Sequence, residues 1–211
     1  MSAVPPEFWA FVLASALIEL TPGPNMAWLA IVGATEGRRP AYAAVAGVAL
    51  GLAVIGLAAA LGVAALVTTS PALYSGLRWG GVVYLLWLAW DSWRDVDGEA
   101  EARIAGRRLA LYFRRGLVTN LLNPKAAVFY VAVLPGFTSP ALPALPQTLT
   151  LTAAYVAVAT LIHAAIATLA GLARRVLDDP RRSRILRKTL ALALAGVAFW
   201  FAWSTAGTAA P

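Results

Sequence analysis

The chain has 211 residues, of which 60% are hydrophobic and only 13% are charged, whereas a soluble domain carries about 25% charged residues. This composition excludes an ordinary soluble domain, and the absence of cysteine excludes disulfides and thiolate metal or redox sites. The net charge of +7 does not indicate nucleic-acid binding, because the basic residues lie in short loops between long apolar runs and are typical of lipid contacts and topology signals.

Six apolar runs are long enough to cross a bilayer, for which a helix needs about 20 residues. They cover residues 8–30, 41–67, 72–93, 116–137, 148–173 and 190–208. These runs predict an all-α polytopic membrane protein with six transmembrane helices in a single domain over residues 1–211. No basic residue precedes the long first run, so we expect a retained first helix and no cleaved signal peptide.

The longest polar segment, residues 94–115, is predicted to be a hydrophilic cytoplasmic loop and not a separate domain.

On the second run, small residues share one helical face. They predict that another helix approaches closely, and this helix belongs either to the same chain or to a second copy in a homo-oligomer. These residues are Gly47, Gly51, Ala58 and Gly62.

Proline interrupts the first and the fourth run. The segment Thr21-Pro22-Gly23-Pro24-Asn25 lies in the middle of run one, and Asn123-Pro124-Lys125 lies at the matching place in run four. Because proline lacks a backbone N–H and clashes with the preceding turn, both helices are expected to break in mid-bilayer. Non-helical backbone at that depth is tolerated only where protein or a water-filled cavity satisfies it, so each break is a candidate binding site.

The basic residues predict the orientation of the chain. Fifteen of the 17 Lys and Arg residues lie between runs one and two, three and four, or five and six. The positive-inside rule makes these connections cytoplasmic and places both termini outside. Residues 1–93 and 116–211 then form two inverted halves, a 3+3 repeat whose first helices are broken. A proline often only kinks a helix, but breaks in register in two inverted halves favour a transporter site.

Ionisable groups inside a span are costly unless they are paired, neutralised or hydrated. Glu19 lies two residues before the first break and Lys125 lies at the second, so the two charges could neutralise each other. Their pairing is either functional or a structural ion pair that fixes helix packing. His163, near the centre of the fifth run, is either a proton relay or a buried neutral histidine bonded to a neighbouring carbonyl.

The broken helices suit a zwitterionic amino acid. A restarted helix offers free N–H groups to a carboxylate, and the carbonyls freed before the break accept from an ammonium. Asparagine and threonine beside a kink either bind substrate or cap the backbone. The predicted substrate-binding residues are Thr21, Pro22, Gly23, Pro24, Asn25, Asn120, Asn123, Pro124 and Lys125, and the predicted proton-coupling residues are Glu19 and His163.

The motifs resemble the lysine and threonine/homoserine exporter family, LysE/RhtB, over nearly the whole chain. They are Leu20-Thr-Pro-Gly-Pro-Asn25, Gly37 with the glycine-rich second run, Tyr84-Leu-Leu-Trp-Leu88, Asn120-Leu-Leu-Asn-Pro-Lys-Ala-Ala-Val-Phe129 and Leu134-Pro-Gly-Phe137. This resemblance implies a six-helix secondary transporter of the inner membrane that expels amino acids or related small metabolites, coupled to the proton gradient. It also implies roles for the first motif from Pro22 to Asn25 and for Asn123, Pro124 and Lys125.

The same residues also bear on other functional classes. The sequence has one histidine, no Gly-x-Ser-x-Gly motif and no cluster of metal ligands. We therefore expect the protein not to be an enzyme and to bind no cofactor or metal. A passive channel remains open, since channels also use broken helices and charged residues. A non-transporting membrane scaffold also remains open, and it would tolerate alanine at Glu19 and Lys125.

Overall fold

A computed structural model describes residues 6–62, 70–94, 105–173 and 180–204, which are almost entirely helical and contain no strand. The prediction of an all-α chain is confirmed for these residues. The α-helices in chain order are α1 (Pro6–Leu20), α2 (Pro24–Glu36), α3 (Arg38–Ala60), α4 (Pro71–Arg94), α5 (Ala105–Leu121), α6 (Pro124–Val128), α7 (Ala144–Ala173) and α8 (Pro180–Ser204). A π-helical turn, Phe129–Val133, and a 3₁₀ turn, Leu134–Phe137, continue α6.

Several helices differ in extent from the apolar runs. Helix α5 begins at Ala105, so the second part of the predicted loop 94–115 is helical. Its arginines lie on a helix that also buries Tyr112, and this amphipathic character lets the helix extend beyond the apolar run. Helix α3 ends at Ala60, and the end of the second run lies outside the described residues.

Among the described residues, two helices are long and apolar enough to cross a membrane: Arg38–Ala60 and Ala144–Leu172. A third crossing results if Arg108–Leu121 and Lys125–Phe137, which are bent by 53° relative to each other, are counted as one span. The described part of the chain therefore offers two to three candidate spans. The six-span arrangement stays a prediction.

Helix α3 lies at the centre of the packing, with α5 on one side and α7 on another. Helix α7 also packs against α1 and α2, and α8 packs against α2 and α4. The interior joins large side chains from several helices, including Trp28, Leu52, Phe129 and Tyr155, each at most 1% exposed. This arrangement brings the segment that follows α1 into contact with the start of α6.

Glycines allow the closest of these approaches, between α3 and α5. A Cβ atom built on Gly47 would lie 2.0 Å from the carbonyl oxygen of Phe113, and one built on Gly116 would lie 2.2 Å from that of Ala44. Gly51 of the predicted small-residue face also contacts α5, at Asn120. Gly62 does not take part, because it follows the end of α3 at φ 80° with no neighbouring atom within 4 Å of a Cβ.

We expect Gly116→Ala to destabilise the protein, because the added methyl group overlaps the α3 backbone and neither helix can yield without repacking. Overpacking of this kind costs about 1–3 kcal/mol, which lowers the melting temperature by about 3 °C or more. The measurement is the thermal unfolding of purified protein in detergent. The matched control is Gly76→Ala, since a Cβ at Gly76 meets nothing within 4 Å. Equal melting temperatures for the two variants would contradict the packing described here.

Candidate functional site

The first helix pair is separated by a short extended segment at Thr21-Pro22-Gly23. Helix α1 ends at Leu20, and α2 begins with Pro24 at its first position, where the missing proline N–H costs no hydrogen bond. Gly23 precedes α2 in an extended conformation, with φ −162° and ψ 175°, and no side chain caps the helix. The carbonyls freed at the end of α1 need hydrogen-bond donors from elsewhere.

The second helix pair is separated at Leu122 and Asn123. The Asn123 side chain caps α6, because its Oδ1 accepts the backbone N–H of Lys125 at 3.1 Å. Pro124 occupies the first position of α6. The π turn that follows α6 is a feature often found at functional sites.

The two helix breaks meet each other through two hydrogen bonds. Lys125 Nζ donates to the carbonyl oxygen of Thr21 at 2.9 Å, so an ammonium from one break satisfies a carbonyl freed at the other. Asn25 Nδ2 donates to Asn120 Oδ1 at 2.8 Å, and both amides are buried. These contacts join residues about a hundred positions apart in the chain into one polar centre.

A small cavity lies between the breaks. It is lined by Glu19, Gly23, Asn25, Met26, Leu52, Asn120, Asn123, Lys125 and Ala126, and its volume of about 10 Å³ is room for about one water molecule. In the bonding scheme of the amide pair, Asn25 Oδ1 and Asn120 Nδ2 have no partner among the described residues. Reversing both amides exchanges their roles and again leaves one acceptor and one donor free. The cavity wall thus holds unused hydrogen-bonding capacity of both kinds.

Glu19 belongs to a second polar cluster that adjoins the cavity. The Tyr155 hydroxyl donates to Glu19 Oε1, and His163 Nε2 lies 3.3 Å from Glu19 Oε2. Glu19 is 5% exposed and His163 is 1% exposed. Because α1 carries the carboxylate and α7 carries both partners, the cluster connects the first break to the core helix α7. A buried carboxylate beside an imidazole can hold or exchange one proton.

Comparison with known proteins agrees with these motifs. The model of the LysE type translocator family matches residues 16–205. The chain belongs to this family.

Three relatives show which proteins the chain is similar to. A homoserine/homoserine lactone efflux protein of Salmonella typhi is 31% identical over 188 residues, which cover 86% of this chain and 89% of that protein. A leucine efflux protein of an Enterobacter species is 38% identical over 128 residues, covering 60% and 61%. An uncharacterised membrane protein of Pseudomonas aeruginosa is 34% identical over 140 residues, covering 64% and 65%. No solved structure matches the chain.

Family membership confirms the resemblance inferred from the motifs. It also makes the chain a membrane translocator and not an enzyme. The motif residues of this translocator lie where the two breaks meet. Gly23, Asn25, Asn120, Asn123 and Lys125 all line the small cavity.

The remaining predicted substrate-binding residues are not among those that line this cavity. Thr21 is exposed, and its hydroxyl donates to the carbonyl of Leu17 in its own helix, so only its carbonyl faces the second break. Pro22 is also exposed, whereas Pro24 is buried at the start of α2. Pro124 begins α6.

Glu19 and Lys125 line the same cavity but do not form an ion pair within 4 Å. Glu19 contacts Tyr155 and His163 instead, and Lys125 contacts the Thr21 carbonyl. The expectation that the two breaks bring these charges near each other agrees with the shared cavity. The two charged groups contact separate partners and not each other.

Tyr155 is the contact that sequence reasoning missed. It stacks on Phe129 with 3.7 Å between ring centroids, while its hydroxyl reaches Glu19. A signal was present, because Tyr155, Ala159 and His163 repeat at four-residue intervals and therefore lie on one helical face. A polar aromatic residue on the face of the only histidine is a candidate partner for the same carboxylate.

We expect the Asn25–Asn120 pair to show strong coupling in stability. Asn25→Ala and Asn120→Ala should each lower the melting temperature, because each leaves a buried amide without its partner. The double variant should be less destabilised than the sum of the single variants by about 1 kcal/mol. Thermal unfolding in detergent provides the values for the cycle.

The control cycle combines Asn25→Ala with Thr150→Ala. Thr150 is exposed and bonds only to Pro146 in its own helix, so these two changes should be additive. Additivity in the asparagine cycle as well would show that the contact between the breaks contributes nothing to stability.

Proposed function

We propose that this translocator exports amino acids, with its substrate site at the meeting point of the two helix breaks. The observation that carries the proposal is the polar cavity between the breaks, where an ammonium, a carboxylate and two partly unpaired amides converge. Relatives named for efflux of homoserine and of leucine support an amino acid as substrate, since these compounds share the α-amino and α-carboxylate groups.

The proposed architecture is a six-helix 3+3 inverted repeat. Helices α1 with α2 form the first broken span, and α5 with α6 and its continuation form the fourth. Two pairings support the repeat: α3 packs against α7, and α4 packs against α8. In an inverted repeat these are corresponding helices of the two halves, which meet across the axis that relates the halves.

The charged groups of the cavity fit the two ends of an amino acid. The substrate carboxylate would bind near Lys125, the free amide donor of the asparagine pair and the first N–H groups of α2. The substrate ammonium would bind Glu19, the free amide acceptor and the carbonyl of Thr21. Lys125 donates to that carbonyl in the present structure, and in the proposed bound state it would turn to the substrate carboxylate.

Transport by alternating access requires this site to open, since about 10 Å³ cannot hold an amino acid. On the side with the basic loops, two ion pairs cross between the proposed halves. Arg108 of α5 pairs with Glu36 of α2, and Arg115 of α5 pairs with Asp91 of α4 at 2.6 Å. These pairs would hold the cytoplasmic side closed and would separate when that side admits substrate.

Proton coupling is proposed for the Glu19, Tyr155 and His163 cluster. Ionised Glu19 binds the substrate ammonium, whereas protonated Glu19 does not, so proton and substrate would occupy the site in turn. His163 is placed to accept or donate the proton, and the Tyr155 hydroxyl holds the carboxylate in position. We place the protein in the inner membrane, as the family resemblance implies, with both termini outside, as the distribution of Lys and Arg predicts.

Lys125→Ala and Asn123→Ala should abolish amino acid efflux while leaving membrane insertion intact. Hydrogen bonds to charged groups contribute about 1.5–3 kcal/mol, so a loss of at least about tenfold is expected. The assay is efflux of labelled amino acids from cells that make equal amounts of membrane-inserted protein. Near-normal efflux by either variant would count against the site.

Two controls separate binding from structure. Lys188→Ala removes the second lysine, which lies over the Trp93 ring, and it should leave efflux unchanged. Asn123→Ser retains a capping oxygen at the start of α6. Full recovery of efflux in Asn123→Ser would restrict Asn123 to capping and remove it from substrate binding.

Glu19→Gln should abolish transport or separate it from proton movement, because the amide keeps a hydrogen-bonding oxygen for Tyr155 but cannot carry the proton. Proteoliposomes with an imposed pH gradient measure amino acid flux and proton flux together. Glu7→Gln is the matched control, since Glu7 is exposed on the same helix. Unaltered coupled exchange in Glu19→Gln would remove Glu19 from the mechanism.

The same vesicles distinguish the alternatives. A passive channel would never move substrate against its gradient when a proton gradient is imposed. A scaffold protein would show no flux, and neither Glu19 nor Lys125 would then affect any transport.

A further inference from the structure

A second and larger cavity lies beside the polar one. It is a groove of about 570 Å³ between α2, α7 and α8. Its lining is apolar and includes Pro22, Met26, Ala30, Ile166, Val197 and Trp200. This volume is in the range of cavities that bind small organic molecules, which is about 300–1,000 Å³.

The groove and the polar cavity share part of one wall. Gly23 and Met26 line both of them. Met26 is half-buried, and a methionine side chain is flexible enough to move without disturbing the backbone. The two cavities are therefore adjacent at the first break, one polar and one apolar.

Gly23 has no structural need to be glycine at this wall. Its extended backbone, with φ −162°, is open to any residue. A Cβ atom built there would meet nothing closer than Lys125 Cδ at 3.7 Å, which is an ordinary contact. The missing side chain instead leaves space between the polar cavity and the groove.

We propose that the groove holds the apolar side chain of the transported amino acid while the charged groups of that amino acid occupy the polar cavity. The inference rests on the proposed function and deepens it by naming the substrate class, which is amino acids with sizeable apolar side chains. A zwitterion with an apolar side chain matches a polar cavity that adjoins an apolar groove across Gly23.

Small residues keep the groove wide. Ala27, Ala193 and Gly196 line it, and a Cβ atom at Gly196 would have no neighbour within 4 Å. Filling this space should therefore reduce the size of side chain that the groove accepts without disturbing helix packing. The outer side of the groove is open at Trp200, which is 54% exposed, so a lipid acyl chain is the competing occupant.

The test compares leucine with homoserine, which has a shorter and polar side chain. Purified protein in proteoliposomes is loaded with either labelled amino acid, and initial efflux rates are measured. Gly196→Leu is expected to lower the ratio of leucine to homoserine efflux by about tenfold, because the loss of apolar contacts of this size changes discrimination by about 10–200-fold. Gly23→Ala is expected to lower the same ratio by a smaller factor.

The matched control is Gly76→Leu. Gly76 is an exposed helical glycine on α4 with no atom within 4 Å of its Cβ position, and it lies outside both cavities. This variant should keep the wild-type ratio. If Gly196→Leu does not yield folded protein, the ratio in Gly23→Ala decides the question, since that backbone accepts alanine.

The outcomes separate the inference from the proposed function. An unchanged leucine-to-homoserine ratio in both groove variants would overturn the inference, while amino acid export would stand. Wild-type protein that exports homoserine but not leucine would also overturn the inference, while amino acid export would stand. Wild-type protein that exports neither amino acid nor any other in a wider set would overturn the proposed function itself.

Discussion

The hydrogen bond from the Lys125 ammonium to the Thr21 carbonyl joins the two helix breaks. A break in an apolar helix leaves carbonyls without partners, and an ammonium in the same environment lacks its hydration shell. Each group therefore supplies the hydrogen-bond partner that the other lacks. The amides of Asn25 and Asn120 are uncharged groups that satisfy each other in the same way. Both hydrogen bonds therefore require that the two breaks face each other.

Chain-local features of the site could be predicted from the sequence. The ends of α1 and α5 follow from proline and glycine chemistry, which acts within a few residues. The membership of Gly23, Asn25, Asn123 and Lys125 in one cavity followed from their positions at those ends. An all-α chain followed from the length and the spacing of the apolar runs.

Contacts that depend on helix rotation and depth could not be predicted in the same way. Glu19 was expected near Lys125, but α7 presents Tyr155 and His163 to it at closer range. The side-chain role expected for Thr21 is taken by its carbonyl, because the hydroxyl bonds within α1. The early start of α5 does not follow from its arginines, because a loop and an amphipathic helix carry arginines equally well.

The two breaks differ in how firmly each is held. The Asn123 side chain closes the start of α6, whereas no side chain caps α2 after Gly23. The first turn of α6 is therefore capped by a residue of its own chain segment. The first turn of α2 has no side-chain cap. At the proposed site, a bound carboxylate would supply the cap that α2 lacks, and the other end of this helix carries Glu36, which pairs with Arg108.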